Sequence, residues 1–483
     1  MPRDPVNQAR RRFLKAVAGV AAGVTISQLG SCGDAATTPT SSGGRGPLPT
    51  PAASSIADLV LMAAPAGAGW GGGAGSTWRY NGLLPGPTLW ARQGSQARIQ
   101  LVNQLPEPTI VHWHGALVPE AADGHPRFAI APGASYQYEF PVIQRAATLW
   151  YHPHPHHATA GQIQRGLVGF LLVRDAEEDA LGLPSGPREV LLMLQDRDDD
   201  PARAFQYEPT AADLQDGLLR GTPYGNAVPR PTLTVSRARY RFRILNGSQA
   251  RVYLLAMGDG SRFTVIGNDG GLLPAPVEQA SVWLGVGERL DLLLDFADRA
   301  PGDRLMLTSL PFAAAGGEDS SRQGIGMDLL ELVVGAGEAR RDPALPAALS
   351  APPSLGGPAV ERFFELNSEH DAGHHLINGL SYDMNRVDER IPLGQTERWI
   401  FRNSSGLPHP MHMHGTHFQI ESRSGGRNEV FPWEAGWKDT ALVMPLETVS
   451  VLVRFEYYRG VFPLHCHNLQ HEDQGMMLNV EVT

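Results

Sequence analysis

The densest chemistry in the 483-residue sequence lies near its C-terminus, in Phe462-Pro-Leu-His465-Cys466-His467-Asn-Leu-Gln-His471-Glu472-Asp-Gln-Gly-Met476. On a strand, successive side chains point to opposite faces. Cys466 then faces one way and His465 and His467 the other, so one short strand can serve two metal sites. On the thiolate side His471 follows five residues on and Met476 ten residues on. Cysteine, histidine and a thioether, joined by one more histidine, form the ligand set of a blue-copper electron-transfer site. The two imidazoles on the other face suit copper, iron or zinc. An electron arriving at Cys466 has a through-bond route to metals held by its neighbours. Structural zinc would instead pair Cys-x2–4-Cys with His-x3–5-His. The only cysteines are Cys32 and Cys466, which disfavours that reading.

The remaining histidines are grouped as well. All 17 lie within 112–157 or 370–471. What must position them is a β-rich scaffold. Residues 97–103, 167–173, 189–194, 289–295 and 448–454 are short apolar or alternating runs bounded by Gly, Pro, Asn and Asp, the pattern of strands. Helical periodicity is confined to a short stretch, 211–219. Three strands share the form Arg-x-x-x-x-Asn: Arg98 to Asn103, Arg241 to Asn246 and Arg398 to Asn403. Nine and eleven residues after the first and third Asn stand His112/His114 and His412/His414, each pair followed by Gly. After the second Asn the same offsets give Leu255 and Met257. The repeat implies three copies of one β-sandwich, the outer two keeping metal ligands and the middle one lacking them. Each outer copy has a second pair, His152/His154 and His465/His467. Eight imidazoles suit three clustered metals, which can form only where the first and third copies meet, with the middle copy as spacer.

The length accommodates three domains. The net charge of −10 and the lack of a basic block past the N-terminus argue against a nucleic-acid partner. Arg10-Arg11-Arg12-Phe13-Leu14-Lys15, followed by a short Ala/Gly-rich apolar run, resembles a twin-arginine export leader and is too short for a membrane span. Leu29-Gly30-Ser31-Cys32 is read as a lipoprotein cleavage box, making Cys32 a candidate lipid anchor. The expected organisation is an export signal at 1–32, a flexible linker at 33–55, and domains at 56–176, 187–340 and 358–483. The expected location is periplasmic or extracellular.

Four ordered motifs, His112-Trp-His114-Gly, His152-Pro-His154, His409-Pro-Met-His412-Met-His414-Gly and His465-Cys466-His467-x3-His471-x4-Met476, together with Tyr80-Asn-Gly-Leu-Leu-Pro-Gly-Pro-Thr88 and Gly436-Trp-Lys-Asp-Thr440, resemble the multicopper oxidases of the three-domain laccase type. The resemblance runs from about Ala57 to Thr483. It implies an all-β chain of three consecutive cupredoxin-like Greek-key sandwiches, expected to be monomeric, with four copper ions. The type 1 copper would take His409, Cys466 and His471, with Met476 axial in preference to Met477. The type 2 copper would take His112 and His412. The type 3 pair would share His114, His152, His154, His414, His465 and His467. Asp123 and Glu472 would be acids supplying protons, and Asp439 structural or close to the type 1 site. The implied activity is one-electron oxidation of phenols or aromatic amines, entering by an exposed edge of His471 or His409, coupled to reduction of O2 to water. Oxidation of cuprous or another low-valent metal ion is the alternative, and an envelope scaffold without catalysis a second. The 12 methionines are dispersed, with no methionine-rich insert, and Ser405 stands where some metal-oxidising relatives carry an acid. His125, His156, His157 and His417 are left without a ligand role. His370, His374 and His375 are read as solvated loop residues or a weak extra copper site.

Overall fold

In strand Gln96–Asn103, exposed Gln96, Arg98 and Gln100 alternate with buried Ala97, Ile99 and Leu101, as expected of a sheet with one face on a core. Strand Arg239–Asn246 is buried almost throughout, because it is covered on both faces. The protein is described by a computed structural model covering residues 45–66, 77–313, 320–369 and 374–483. The export leader and Cys32 lie outside those residues.

Strands pair into six sheets among the described residues. In the first sandwich, a four-stranded sheet (Trp78–Tyr80, Leu59–Pro65, Gln96–Asn103, Ser135–Pro141) shares a core with a five-stranded one (Ala53–Ser55, Thr88–Arg92, Gly169–Arg174, Ala147–Pro153, Val111–His114). That core holds Leu101, Trp113, Tyr138 and Tyr151. The middle sandwich joins a seven-stranded and a five-stranded sheet around Phe242, Tyr253, Leu292 and Leu329. The third joins two five-stranded sheets around Trp399, Phe401, Val451 and Leu464, and Cys466 and Met476 belong to that same core. The expectation of an all-β chain of three sandwiches holds.

The repeated Asn has a structural job. Asn103, Asn246 and Asn403 are buried at the ends of equivalent eight-residue strands. In each, the side-chain oxygen accepts from the N–H two residues on, at 2.9, 3.1 and 2.9 Å. Each amide donates to at least two carbonyls: Glu107 and Ile130 from Asn103, Arg251 and Leu284 from Asn246, and Leu407, Val443 and Met444 from Asn403. This network turns the chain from one sheet into the strand that carries His-x-His in the outer copies and Leu255 and Met257 in the middle one. Replacing Asn246 by Ala strips partners from buried carbonyls, at a cost of about 1–3 kcal/mol each. The expected result is a lower Tm by calorimetry with copper content unchanged. An unaltered Tm would deny the network its structural weight.

The linker reading of 33–55 needs correction over 45–55; residues 33–44 lie outside the described residues. From residue 45 the chain is held: Pro47 bridges Thr232 of the middle sandwich, Asn226 donates to the Pro49 carbonyl at 2.8 Å, and Ala53–Ser55 pairs in parallel with Thr88–Arg92. A second tie between sandwiches is electrostatic. The short helix Ala176–Ala180, capped by Asp175, presents Glu178 to Arg241 (2.7 Å) and Arg243 (3.0 Å), while Glu189 takes Arg243 at 2.6 Å and Asp291 takes Arg241 at 2.5 Å. All five side chains are nearly solvent-free.

Candidate metal centres

The strand Gly460–Cys466 pairs with His409–Met413 in antiparallel register, Met411 opposite Cys466 and His412 opposite His465. The alternation puts two centres on opposite sides of this pair. On one side lie Cys466, His409 and His471. Cys466 Sγ is 3.5 Å from His409 Nδ1 and 3.7 Å from His471 Nδ1, and the two nitrogens are 3.2 Å apart. All three residues are fully buried, and Met476 is buried in the same core. The turn after the strand finishes the site. Asn468 caps the helix Leu469–Asp473, and its N–H donates to Cys466 Sγ at 3.4 Å. That helix carries His471 toward this centre and, one position on, Glu472 toward the other. Ser405 Oγ lies 2.8 Å from His409 Nε2, leaving Nδ1 for the centre.

On the other side the eight remaining imidazoles meet, four from each outer sandwich. His112 Nε2 and His412 Nε2 are 3.3 Å apart, and their Nδ1 atoms donate to the Asp123 (2.6 Å) and Asp439 (2.9 Å) carbonyls. His154, His414 and His465 converge through Nε2, with His465 3.3 Å from His154 and 3.0 Å from His414. His114, His152 and His467 form a third group, with ring centroids 5.0 to 5.8 Å apart. Rings from the two sandwiches interleave: His112 stacks on His414 and His114 on His412, each at 3.7 Å.

These groups fit metal ions. His114 Nδ1, His152 Nε2 and both nitrogens of His467 are buried with no hydrogen-bond partner among the described residues, a costly arrangement unless they serve as ligands. Burial pushes His112, His114, His412, His414 and His467 well below the ordinary histidine value, and His152 down to about 4. Neutral imidazole is the ligating form. Burial likewise pushes the Cys466 thiol up, so a cation must displace its proton. Histidine, thiolate and thioether donors select copper.

Two carboxylates flank the histidine-rich centre. Asp123 Oδ2 lies 2.8 Å from His414 Nδ1, and Oδ1 lies 3.7 Å from His112 Nδ1. Burial raises its pKa well above the usual carboxylate range. Glu472 lies 3.3 Å from His465 Nδ1 and 3.6 Å from His154 Nε2. Burial raises it too, but the imidazoles of His154 and His465 outweigh that and hold it well below the range.

Three expectations are corrected. Of the two expectations for Asp439, structural or close to the type 1 site, the second is overturned. Asp439 Oδ1 is 3.0 Å from His114 Nε2, and both carboxylate oxygens meet Arg289. The motif Gly436-Trp-Lys-Asp-Thr440 alone does not tell which of the two centres its carboxylate reaches. Secondly, neither His471 nor His409 has an exposed edge. The helix Ala211–Asp216 closes over His471, whose Nε2 is 3.2 Å from the Gln215 carbonyl, and Gln470 Oε1 accepts from Leu218 N at 2.8 Å. Thirdly, His375 lies in strand His374–Ile377, buried, its ring stacked on His471 at 3.8 Å and its Nδ1 2.9 Å from Ser368 Oγ. His370 lies outside the described residues. His125 is buried and 3.0 Å from Asn479 Oδ1, and His417 is 2.8 Å from the Gly115 carbonyl. His156 is half-buried and stacks on exposed His157. None of these four joins a metal group among the described residues. Sequence reading also missed Arg289 and Gln215, whose sandwich has no histidine to mark it.

The geometry agrees with what comparison finds. Multicopper oxidase profiles match residues 69–178, 194–328 and 357–483. A laccase of Bacillus stratosphericus is 31% identical over 464 residues, covering 84% of this chain and 90% of the relative. The cell division protein FtsP of Edwardsiella tarda is 33% identical over 387 residues, covering 78% and 79%. The crystal structure of the McoA multicopper oxidase 2F4 variant from Aquifex aeolicus superposes with a TM-score of 0.82 at 31% identity, covering 91% of this chain and all of that one. With its buried thiolate centre and eight interleaved imidazoles, the chain belongs to the multicopper oxidases, copper-dependent oxidoreductases that use O2.

Proposed function

We propose a laccase-like oxidase that takes single electrons from phenols or aromatic amines and delivers them to O2. The observation that carries this is the segment His465-Cys466-His467 at the end of strand Gly460–Cys466, which joins two separate donor sets through one covalent backbone. In this reading His409, Cys466, His471 and Met476 hold the type 1 copper, and His112 and His412 the type 2. His154, His414 and His465 hold one type 3 copper and His114, His152 and His467 the other. When bound, the coppers supply reversible one-electron chemistry and the four-electron reduction of O2. The protein supplies insulation, orientation and protons. The His465 Nδ1–H donates to the Cys466 carbonyl at 3.1 Å, which fixes the ring next to the thiolate. Opposed pKa shifts separate the roles of the two acids. Asp123, whose burial favours the protonated form more than in an ordinary carboxyl, turns Oδ1 to the centre, where that oxygen has no hydrogen-bond partner among the described residues, and is placed to give up its proton there. Glu472 lies within reach of His465 and His154 on the other side of the centre, placed to relay protons to it.

Electrons from substrate must cross the cover over His471. The path is the Gln215 carbonyl or the stacked ring of His375, each touching His471 directly. Segment 198–217 contains no methionine, so it offers no soft donor for cuprous ion. The cover itself favours a second reading, a low-valent metal ion as donor, because the buried His471 edge excludes stacking of a large aromatic. A scaffold role without copper is disfavoured by the complete donor set. The reading includes export through the 1–32 leader to the periplasm or cell exterior, with Cys32 as a candidate lipid anchor; no helix among the described residues is long and apolar enough to cross a membrane.

The deciding experiment is oxygen uptake by copper-loaded protein, with a phenol and with cuprous ion in parallel. Faster uptake with the phenol is expected. Faster uptake with cuprous ion, above its spontaneous oxidation, would replace the first reading with the second.

A further inference from the structure

The middle sandwich has no histidine, yet one of its residues reaches the histidine-rich centre. Arg289, at the start of strand Arg289–Asp295, is fully buried. All five of its N–H donors have acceptors, the full capacity of a guanidinium. Nε donates to the Thr148 carbonyl of the first sandwich at 2.9 Å. Nη1 donates to the Gly287 carbonyl at 2.8 Å and to Asp439 Oδ1 at 2.7 Å. Nη2 donates to the Asp269 carbonyl at 3.0 Å and to Asp439 Oδ2. Its backbone N–H is also fixed, by Asp269 Oδ1 at 2.8 Å. A single side chain therefore bonds all three sandwiches.

The acceptor it clamps, Asp439, acts on one ring in particular. His112, His412, His152, His465 and His414 all pair Nδ1 with an oxygen, which turns Nε2 inward. His114 is reversed. Its Nε2 lies 3.0 Å from Asp439 Oδ1 and 3.2 Å from Thr440 Oγ1, and its Nδ1 is the atom without a hydrogen-bond partner among the described residues. The surroundings are cut to this arrangement. A Cβ on Gly115 (φ +85°) would stand 2.6 Å from Asp439 Oδ2 and 2.8 Å from Arg289 Nη2. One on Gly287 (φ +81°) would stand 3.1 Å from the His114 ring and 3.0 Å from that of His467.

We infer that Arg289 is a positioning residue of the trinuclear centre: it fixes Asp439 so that the carboxylate takes the His114 Nε2–H and turns His114 Nδ1 toward the metals. The middle sandwich is then one wall of that centre as well as a spacer. The inference rests on the reading of His114 as a copper ligand, which copper content and the type 2 and type 3 spectra of the unaltered protein test separately.

The test is Arg289→Gln and Arg289→Lys, with Asp439→Asn as an independent route to the same His114 bond. Each is loaded with copper and read by metal content, electron paramagnetic resonance of the type 2 copper and near-ultraviolet absorption of the type 3 pair. The blue absorption of the Cys466 centre is the internal control. The expected result for Arg289→Gln and Asp439→Asn is altered type 2 and type 3 signals, or loss of trinuclear copper, with the blue band intact. Arg289→Lys keeps the charge but not the planar fork and recovers the signals only in part. Unchanged trinuclear signals in both Arg289→Gln and Asp439→Asn would overturn the inference. So would parallel loss of the blue band and the trinuclear signals, because a general structural role would then suffice.

Discussion

Copper-loaded protein carrying Cys466→Ser is expected to lose its intense blue absorption, and its substrate oxidation to fall to background, while the fold persists. The thiol is fully buried, with two imidazole nitrogens 3.5 and 3.7 Å from the sulfur and the Asn468 N–H 3.4 Å away. Serine nearly matches its volume and can accept the same hydrogen bond, so packing around Met411 and Met476 has little reason to change. What disappears is the soft, ionisable donor on which a blue-copper site depends. Visible absorption and far-ultraviolet circular dichroism of the same sample make the comparison. A blue band surviving in the variant would refute the placement of Cys466 at the electron-entry site.

The second large effect concerns protons. Replacing Asp123 by Asn keeps the shape of the side chain and removes its acid. Re-oxidation of fully reduced enzyme by O2 is expected to slow by about 10²-fold or more, the scale of a lost general acid. Anaerobic reduction of the blue centre by substrate is expected to be unchanged, because the imidazoles Asp123 contacts directly, His414 and His112, belong to the other centre. The pH dependence has a defined sign. Burial raises the pKa of Asp123, so its proton is present at low pH and lost as pH rises through the raised value. Re-oxidation of the unaltered enzyme slows along that limb, and the variant lacks the limb. Stopped-flow traces that match in both proteins across pH would remove Asp123 from proton delivery.

What the sequence revealed and what it hid divide along a physical line. The His-x-His pairs were legible because ligands on one strand face keep a fixed spacing, and Asn103, Asn246 and Asn403 were legible because one network is built three times. Cys466 and its neighbours could be assigned to opposite faces from strand alternation alone. Contacts between sandwiches were not legible. Arg289 looks like any strand arginine until the third sandwich brings Asp439 against it. The cover over His471 is made largely of backbone: the Gln215 carbonyl and the short helix around it leave no signature in residue type. The linker was misjudged at its end for a similar reason. Residues 45–55 have the composition of a tether, yet they find sheet edges at Thr232 and Thr88–Arg92 that only the folded chain presents.

The interleaving of the histidines also sets an order of events during synthesis. Domains of a growing chain fold as units, N-terminal first. The first sandwich and the Glu178–Arg241–Arg243 tie can be in place once residue 295 has emerged. At that moment His112, His114, His152 and His154 form half a shell, open toward where His412 and His465 will lie. Every metal group among the described residues except His112-His114-His152 needs a residue beyond 400, and the thiolate centre closes only when Met476 arrives. Full metal loading must therefore follow completion of the chain, and a truncation anywhere before His465 abolishes both centres in a single step.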